Sequence, residues 1–274
     1  MRTAGKCFYE TPRSRKERTM PKIALKNCLI ITFTILFLSV FAPAQEEVLT
    51  EAESCNLQGV KAAGERNYQE ALKLFNRAIT LRPDFAKAYF NLGTVYFHLR
   101  EFEKAVINLQ KAIKLNPAYS DAYNQLGVTF VELSQFEDAQ VALKEAIRQK
   151  PDKFLFYYNL GCLYNRWGKF KAAVAALEKS RQLRADYSDT LINLGYAYMQ
   201  QKQYREAVSA VQEAVKLNAD DVQARYFLGK LYLLAKDKQS ALAQYEMIKS
   251  FNPQIARQLY EIIYRDKLLV IRQP

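Results

Sequence analysis

"NLGTVYFHLREFEKAVINLQKAIKLNPA", residues 91–118, carries a glycine inside a stretch whose other residues favour helix. The triplet Asn-Leu-Gly returns at 159–161 and 193–195, with Gln125-Leu126-Gly127 and Phe227-Leu228-Gly229 as variants. Gly59, Gly93, Gly127, Gly161, Gly195 and Gly229 are each 34 residues apart. Twelve residues after each stands an alanine: Ala71, Ala105, Ala139, Ala173, Ala207 and Ala241. Three before that alanine is an aromatic residue (Tyr68, Phe102, Phe136, Phe170, Tyr204), replaced by Lys238 in the sixth copy. Pro83, Pro117, Pro151 and Pro253 share another register, with Ala185 and Ala219 in the two remaining copies. No insertion disturbs the period from 52 to 255.

Tyr89, Leu92, Gly93 and Tyr96 fall at i, i+3, i+4 and i+7, one face of a helix. Ala105, Leu109, Ala112 and Ile113 form the face of a second helix. Glycine costs a helix about 1 kcal/mol relative to alanine. Its recurrence therefore predicts a place where two helices cross too closely for a side chain. Proline at the unit end restricts the residue before it and stops the preceding helix. Asp84, Asp152, Asp186 and Asp220 follow and are expected to cap or favour the next helix start.

With these positions in phase, the chain resembles the tetratricopeptide repeat family, a helix–turn–helix unit of this period. The resemblance covers six units, 52–85, 86–119, 120–153, 154–187, 188–221 and 222–255. It implies an all-α fold, a right-handed superhelical α-solenoid of antiparallel helix pairs. One hairpin cannot bury both faces, so the units must stack and their ends must be covered. Residues 256–274, with Leu259, Ile262 and Ile263 at helical spacing, read as a capping helix and tail. The first unit, with Cys55 and Gln58 at positions that elsewhere carry aromatics or leucine, reads as a degenerate N-terminal cap.

Residues 1–44 have a different composition. Lys22 and Lys26 lead into the apolar run "CLIITFTILFLSVF", Cys28 to Phe41, and Ala42-Pro43-Ala44 precedes Gln45. This is the plan of a secretory signal cleaved after Ala44, with Met20 as a candidate true start. The run gives about 21 Å of helix, short of a bilayer core of ~30 Å. An uncleaved anchor at 28–42, with the repeats outside the cytoplasm, is the alternative. The expected setting is thus exported, periplasmic or secreted, with membrane contact only through an uncleaved leader. Cys55 and Cys162 remain beyond the leader, three repeats apart. With stacked helices ~8–10 Å apart, they are too distant for a bond that needs Cα atoms within ~7 Å.

The formal charge is +12, but 1–44 hold eight Lys and Arg against two Glu, leaving +6 for 45–274. Units one to six carry +1, +3, −2, +4, −2 and +3, so no continuous basic stripe matches a phosphate backbone. Nucleic acid is not an expected partner. His98 is the only histidine, and no phosphate loop, CxxC or HExxH pattern occurs. The reading is non-enzymatic, with no catalytic residue, metal or cofactor. Glu101–Lys104 and Glu70–Lys73 are expected as exposed neighbour pairs on helices.

The resemblance implies protein binding in a concave groove lined by each unit's first helix, through its second, fifth, sixth, ninth, twelfth and thirteenth positions. In this chain those positions include Asn56, Lys87, Phe90, Asn91, Phe97, Asn124, Tyr158, Asn159, Asn165, Ile192, Asn193, Tyr196, Met199, Tyr226 and Lys230. Five aromatics with asparagines between suit a peptide or helical partner segment. The family's carboxylate clamp does not carry over. Asn91, Asn159 and Asn193 match its central asparagine, but Asn56/Val60 and Asn124/Val128 stand where Lys/Asn is required, and Asp121/Gln125 or Asp189/Asn193 where Lys/Arg is. The expected function is an assembly adaptor for a protein or peptide partner. Alternatives are a self-associating scaffold, a homo-oligomer in one form, whose groove takes its own tail Lys267–Ile271 or a neighbouring copy, and a regulatory subunit of an envelope enzyme.

Overall fold

The computed structural model describes residues 50–264. The leader at 1–44 and the tail Lys267–Ile271 lie outside the described residues. Thirteen α-helices and no strand occur among the described residues. They run α1 Glu51–Gly64, α2 Tyr68–Leu81, α3 Ala86–His98, α4 Phe102–Leu115, α5 Ser120–Glu132, α6 Phe136–Gln149, α7 Phe154–Arg166, α8 Phe170–Leu183, α9 Ser188–Gln200, α10 Tyr204–Leu217, α11 Val222–Leu234, α12 Lys238–Phe251 and α13 Pro253–Ile263. Odd-numbered helices from α1 to α11 open a unit and even-numbered ones close it, which gives the expected α-solenoid.

Each unit is held at its glycine. A Cβ on Gly59 would come within 2.6 Å of the Phe75 ring, and one on Gly127 within 2.6 Å of Leu143. On Gly93 it would come within 2.8 Å of Leu109, and on Gly161 and Gly195 it would collide with Leu177 and Val211. In all five cases the side chain lies sixteen residues on, in the unit's own second helix. The recurrent alanines Ala71, Ala105, Ala139, Ala173, Ala207 and Ala241 have no exposed surface. The sixth unit differs: Gly229 faces Leu259 of α13 at 2.7 Å. Helix α13 thus packs on α11 and α12 in the place of a further first helix, with Ile263 standing 34 residues after Gly229.

Buried clusters run across unit boundaries. One joins Leu143 of the third unit, Leu163 and Leu177 of the fourth, and Leu191 and Ala210 of the fifth. The next joins Val211, Leu228, Ile248 and Leu259. Successive first helices also touch from α1 to α9, while no contact of that extent joins second helices. The first helices therefore lie on the shorter, inner side of the curve.

The turn inside each unit has a regularity of its own. Arg66, Arg100, Ser134, Gly168, Lys202 and Lys236 have φ between 60° and 75° and are again 34 residues apart. The amide after each donates to a carbonyl five residues back, as Asn67 does to Ala62 and Glu101 to Tyr96, closing the helix in a Schellman-type turn. Five non-glycine residues accept the left-handed conformation to make it.

Two expectations are corrected. Asp84, Asp152, Asp186 and Asp220 do not cap the first helices, because the N-cap position falls one residue later. Phe85, Lys153 and Tyr187 there make no side-chain cap, whereas Asp221 accepts from the amides of Gln223 and Ala224. Asp186 bonds Arg184 instead. In the terminal helix, Leu259 and Ile263 are buried but Ile262 points outward and is 40% exposed. That helix begins at Pro253, capped by Asn252, three residues before the expected boundary. Glu101–Lys104 and Glu70–Lys73 do pair.

Replacing Gly161 by leucine should destabilise the array by about 1–3 kcal/mol or more through overpacking. An unchanged midpoint in chemical denaturation would contradict the close crossing. Gly168 has open space around its Cα. Gly168→Ala should still cost about 1 kcal/mol, from backbone conformation alone, read in the same denaturation experiment.

Candidate functional site

The inner face is built from the fifteen expected residues in three ways. The asparagines are largely engaged between helices. Asn91 Nδ2 donates to Asn56 Oδ1 and Asn159 Nδ2 to Asn124 Oδ1, both at 2.8 Å. Asn165 Nδ2 donates to the Asn193 backbone carbonyl at 3.1 Å, and Asn193 Nδ2 to the Asp189 carbonyl at 2.9 Å. Asn56, Asn124 and Asn165 are buried. Asn91 and Asn159 tie one first helix to the next because the fifth position of one unit meets the sixth of its successor. Asn165 does so from the twelfth position, while the Asn193–Asp189 bond stays within α9.

The aromatics form the second group. Phe90 packs on Tyr119 with ring centroids 4.9 Å apart, and Phe97 on Phe102 at 5.6 Å. Tyr158 meets Tyr187 edge-on at 5.2 Å, and Tyr196 meets Phe170 at 6.2 Å. Phe90, Phe97, Tyr158 and Tyr226 are half-buried against the core, as are Ile192 and Met199. Tyr196 keeps 37% of its surface exposed. The third group, Lys87 and Lys230, is exposed, and the Lys230 ammonium lies 5.6 Å from the Tyr226 ring.

Sequence reasoning omitted four residues of the same register. Leu57 and Val60 hold the sixth and ninth positions of the first unit, Leu155 the second of the fourth, and Leu234 the thirteenth of the sixth. All four are exposed apolar side chains. The period alone would have found them. Two of them lie on α1, a full helix opened by a Thr50–Glu53 capping box.

Burial keeps two tyrosine hydroxyls and one thiol here neutral. Burial pushes the Tyr158 hydroxyl well above the usual phenol range, with the adjoining Cys162 adding to it. Burial raises the Cys162 thiol to about 11. A thiol in that state is a poor nucleophile at neutral pH. Tyr119 is likewise pushed up to about 12, by burial and then by Asp121. Cys55 and Cys162 are both free. His98 is exposed and stacks on Tyr68, with ring centroids 5.8 Å apart. Among the described residues, no group of three or more His, Cys, Asp or Glu is arranged to hold a metal ion. The inner face offers neutral hydrogen-bonding groups and apolar side chains, with the exposed ammoniums of Lys87 and Lys230 among them.

A family model described as the cilia and flagella-associated protein 70 C-terminal domain, a tetratricopeptide-repeat domain, matches residues 41–254. Human tetratricopeptide repeat protein 6 is 40% identical over 62 residues, 23% of this chain and 12% of that protein. This chain therefore spans only a small part of that relative. Among solved structures, the Cut9–Hcn1 hetero-tetramer of the APC/C contains a chain similar in fold, with a TM-score of 0.66 and 19% identity, covering 87% of this chain and 46% of that one. PilW, a type IV pilus biogenesis factor, superposes with a TM-score of 0.72 at 15% identity, covering 78% of this chain and all of that one. Repeat solenoids of this kind are in general interaction scaffolds that present extended concave surfaces to protein partners. With some three quarters of its length inside the matched region, the chain belongs to the tetratricopeptide-repeat family typified by the cilia and flagella-associated protein 70 C-terminal domain.

Proposed function

We propose that this chain is a non-enzymatic adaptor that holds a peptide or helical segment of a partner protein along its inner face, in a compartment outside the cytoplasm. The observation that carries the reading is the row of exposed apolar side chains on the inner register, Leu57, Val60, Leu155, Tyr196 and Leu234, set among half-buried aromatics. Covering such side chains returns about 25 cal/mol per Å² of apolar surface. Rigid aromatic anchors concentrate that gain in a few residues. The asparagine ties fix the spacing between first helices, so the face is ordered before a partner arrives, which lowers the entropic cost of binding. The Cut9–Hcn1 structure is itself a complex of such a solenoid with another protein, which favours the same use of the fold here. The extracytoplasmic setting rests on the leader sequence at 22–44.

A photo-crosslinking residue at position 196 should form an adduct with one partner protein in intact cells, while the same residue at Ser209, exposed on a second helix, should not. Equal adducts at both positions would reject the inner-face assignment. Tyr158→Ala combined with Tyr196→Ala should abolish partner capture with helical circular dichroism retained. The mature chain should begin at Gln45 by intact mass, and a mass that still contains residues 1–44 would reject cleavage.

A further inference from the structure

The outer surface of the second and third units departs from the pattern of the later ones. In each later gap between second helices, a tyrosine of the intervening first helix is hydrogen-bonded to the preceding second helix. Gln140 Nε2 donates to Tyr164 Oη at 2.6 Å between α6 and α8. Tyr198 Oη donates to Glu178 at 3.2 Å between α8 and α10, and Gln212 Nε2 donates to Tyr232 Oη at 2.5 Å between α10 and α12. Phe130 occupies the register of those tyrosines in the third unit and has no hydroxyl. Gln110, in the register of Glu178 and Gln212, is left exposed.

The gap between α4 and α6 is consequently open, as a cavity of about 570 Å³ floored by Tyr123, Leu126 and Phe130 and walled by Gln110 and Val141. A second depression of about 390 Å³, lined by Tyr89, Ile107, Lys111 and Lys114, shares the Gln110 wall. Ile107 and Val141 are the most exposed large hydrophobic side chains among the described residues, at 65% and 70%. They hold one register, which elsewhere carries Lys73, Ala175, Ser209 and Ala243. The scaffold therefore does not require a branched aliphatic residue at that position.

The rim is basic. Lys111, Lys114, Lys144 and Arg148 line the two depressions against Asp138 and Glu145. Arg148 and Glu145 neutralise each other at 2.7 Å. That leaves three lysines facing one aspartate around an apolar floor.

We propose that this outer surface is a second docking site, which takes an acidic amphipathic segment of a protein partner. Its apolar side chains seat against Ile107, Val141 and the Phe130 floor, its carboxylates face Lys111, Lys114 and Lys144, and Gln110 supplies a free amide to its polar groups. The site opens between second helices, with only its floor taken from α3 and α5, and does not depend on the adaptor reading.

The test is a random peptide library displayed on phage, panned on the full chain with the Ile107→Ser, Val141→Ser chain as soluble competitor. Enriched peptides are expected to be net acidic with more than one large apolar residue. Synthetic copies should bind about tenfold or more weakly to the doubly substituted chain, a loss of about 1.4 kcal/mol, and more weakly in high salt. Phe130→Tyr should weaken them comparably with an unchanged melting temperature, because the new hydroxyl reaches Gln110 and closes the gap as in the later units. Failure to enrich any peptide, enrichment of peptides without acidic residues, or undiminished binding to either variant overturns the proposal. The inner face is tested separately, by the crosslink at position 196.

Discussion

A bare Cα lies where the first helix crosses its own second helix in the first five units, and the rest of the architecture follows from how close that crossing is. With no side chain on Gly93 or Gly127, the facing leucine packs directly on helix backbone. The recurrent alanine on the second helix is sealed beneath. The cost of glycine in a helix, about 1 kcal/mol, is offset by dense packing that a larger residue would exclude. Because the crossing repeats at a fixed period, each hairpin presents its remaining apolar surface in the same direction. The neighbour buries it, and the clusters become continuous along the array.

That regularity separates two faces with different duties. On the inner side, amide-to-amide bonds such as Asn91 to Asn56 fix one first helix against the next, and apolar tips remain in solvent between them. On the outer side, tyrosine hydroxyls bond the preceding second helix from α6 onward, and no such bond occurs between α2 and α4 or between α4 and α6. Phe130, in the register of those tyrosines, has no hydroxyl with which to make the bond. In a scaffold this repetitive, departures from the consensus are informative because packing does not demand them.

The period made the helix pairs, the crossing glycines and the buried alanines legible before any coordinates. The inner register also placed Tyr196, Lys87 and Lys230 on an accessible surface. It did not reveal that Asn56, Asn124 and Asn165 face a neighbouring helix and are buried, since position along a helix does not say how near the next helix lies. Nor did aspartates beside prolines identify the caps. The N-cap falls one residue after them in the proline and alanine copies alike, so Asp221 caps while Asp84 does not. The left-handed turn residues were invisible for a different reason. Only one of the six is glycine, so the usual letter for that conformation is absent.

The isoleucine at position 263 settles how the array stops. Helix α13 is in register with the six opening helices, and Leu259 on it takes the seat against Gly229 that a second helix supplies in the other units. A branched side chain at 263, where the glycine would fall, bars any further helix from the same close approach. The close crossing that glycine permits in the six opening helices is therefore not available at this one, and Ile263 is buried instead in the terminal apolar cluster.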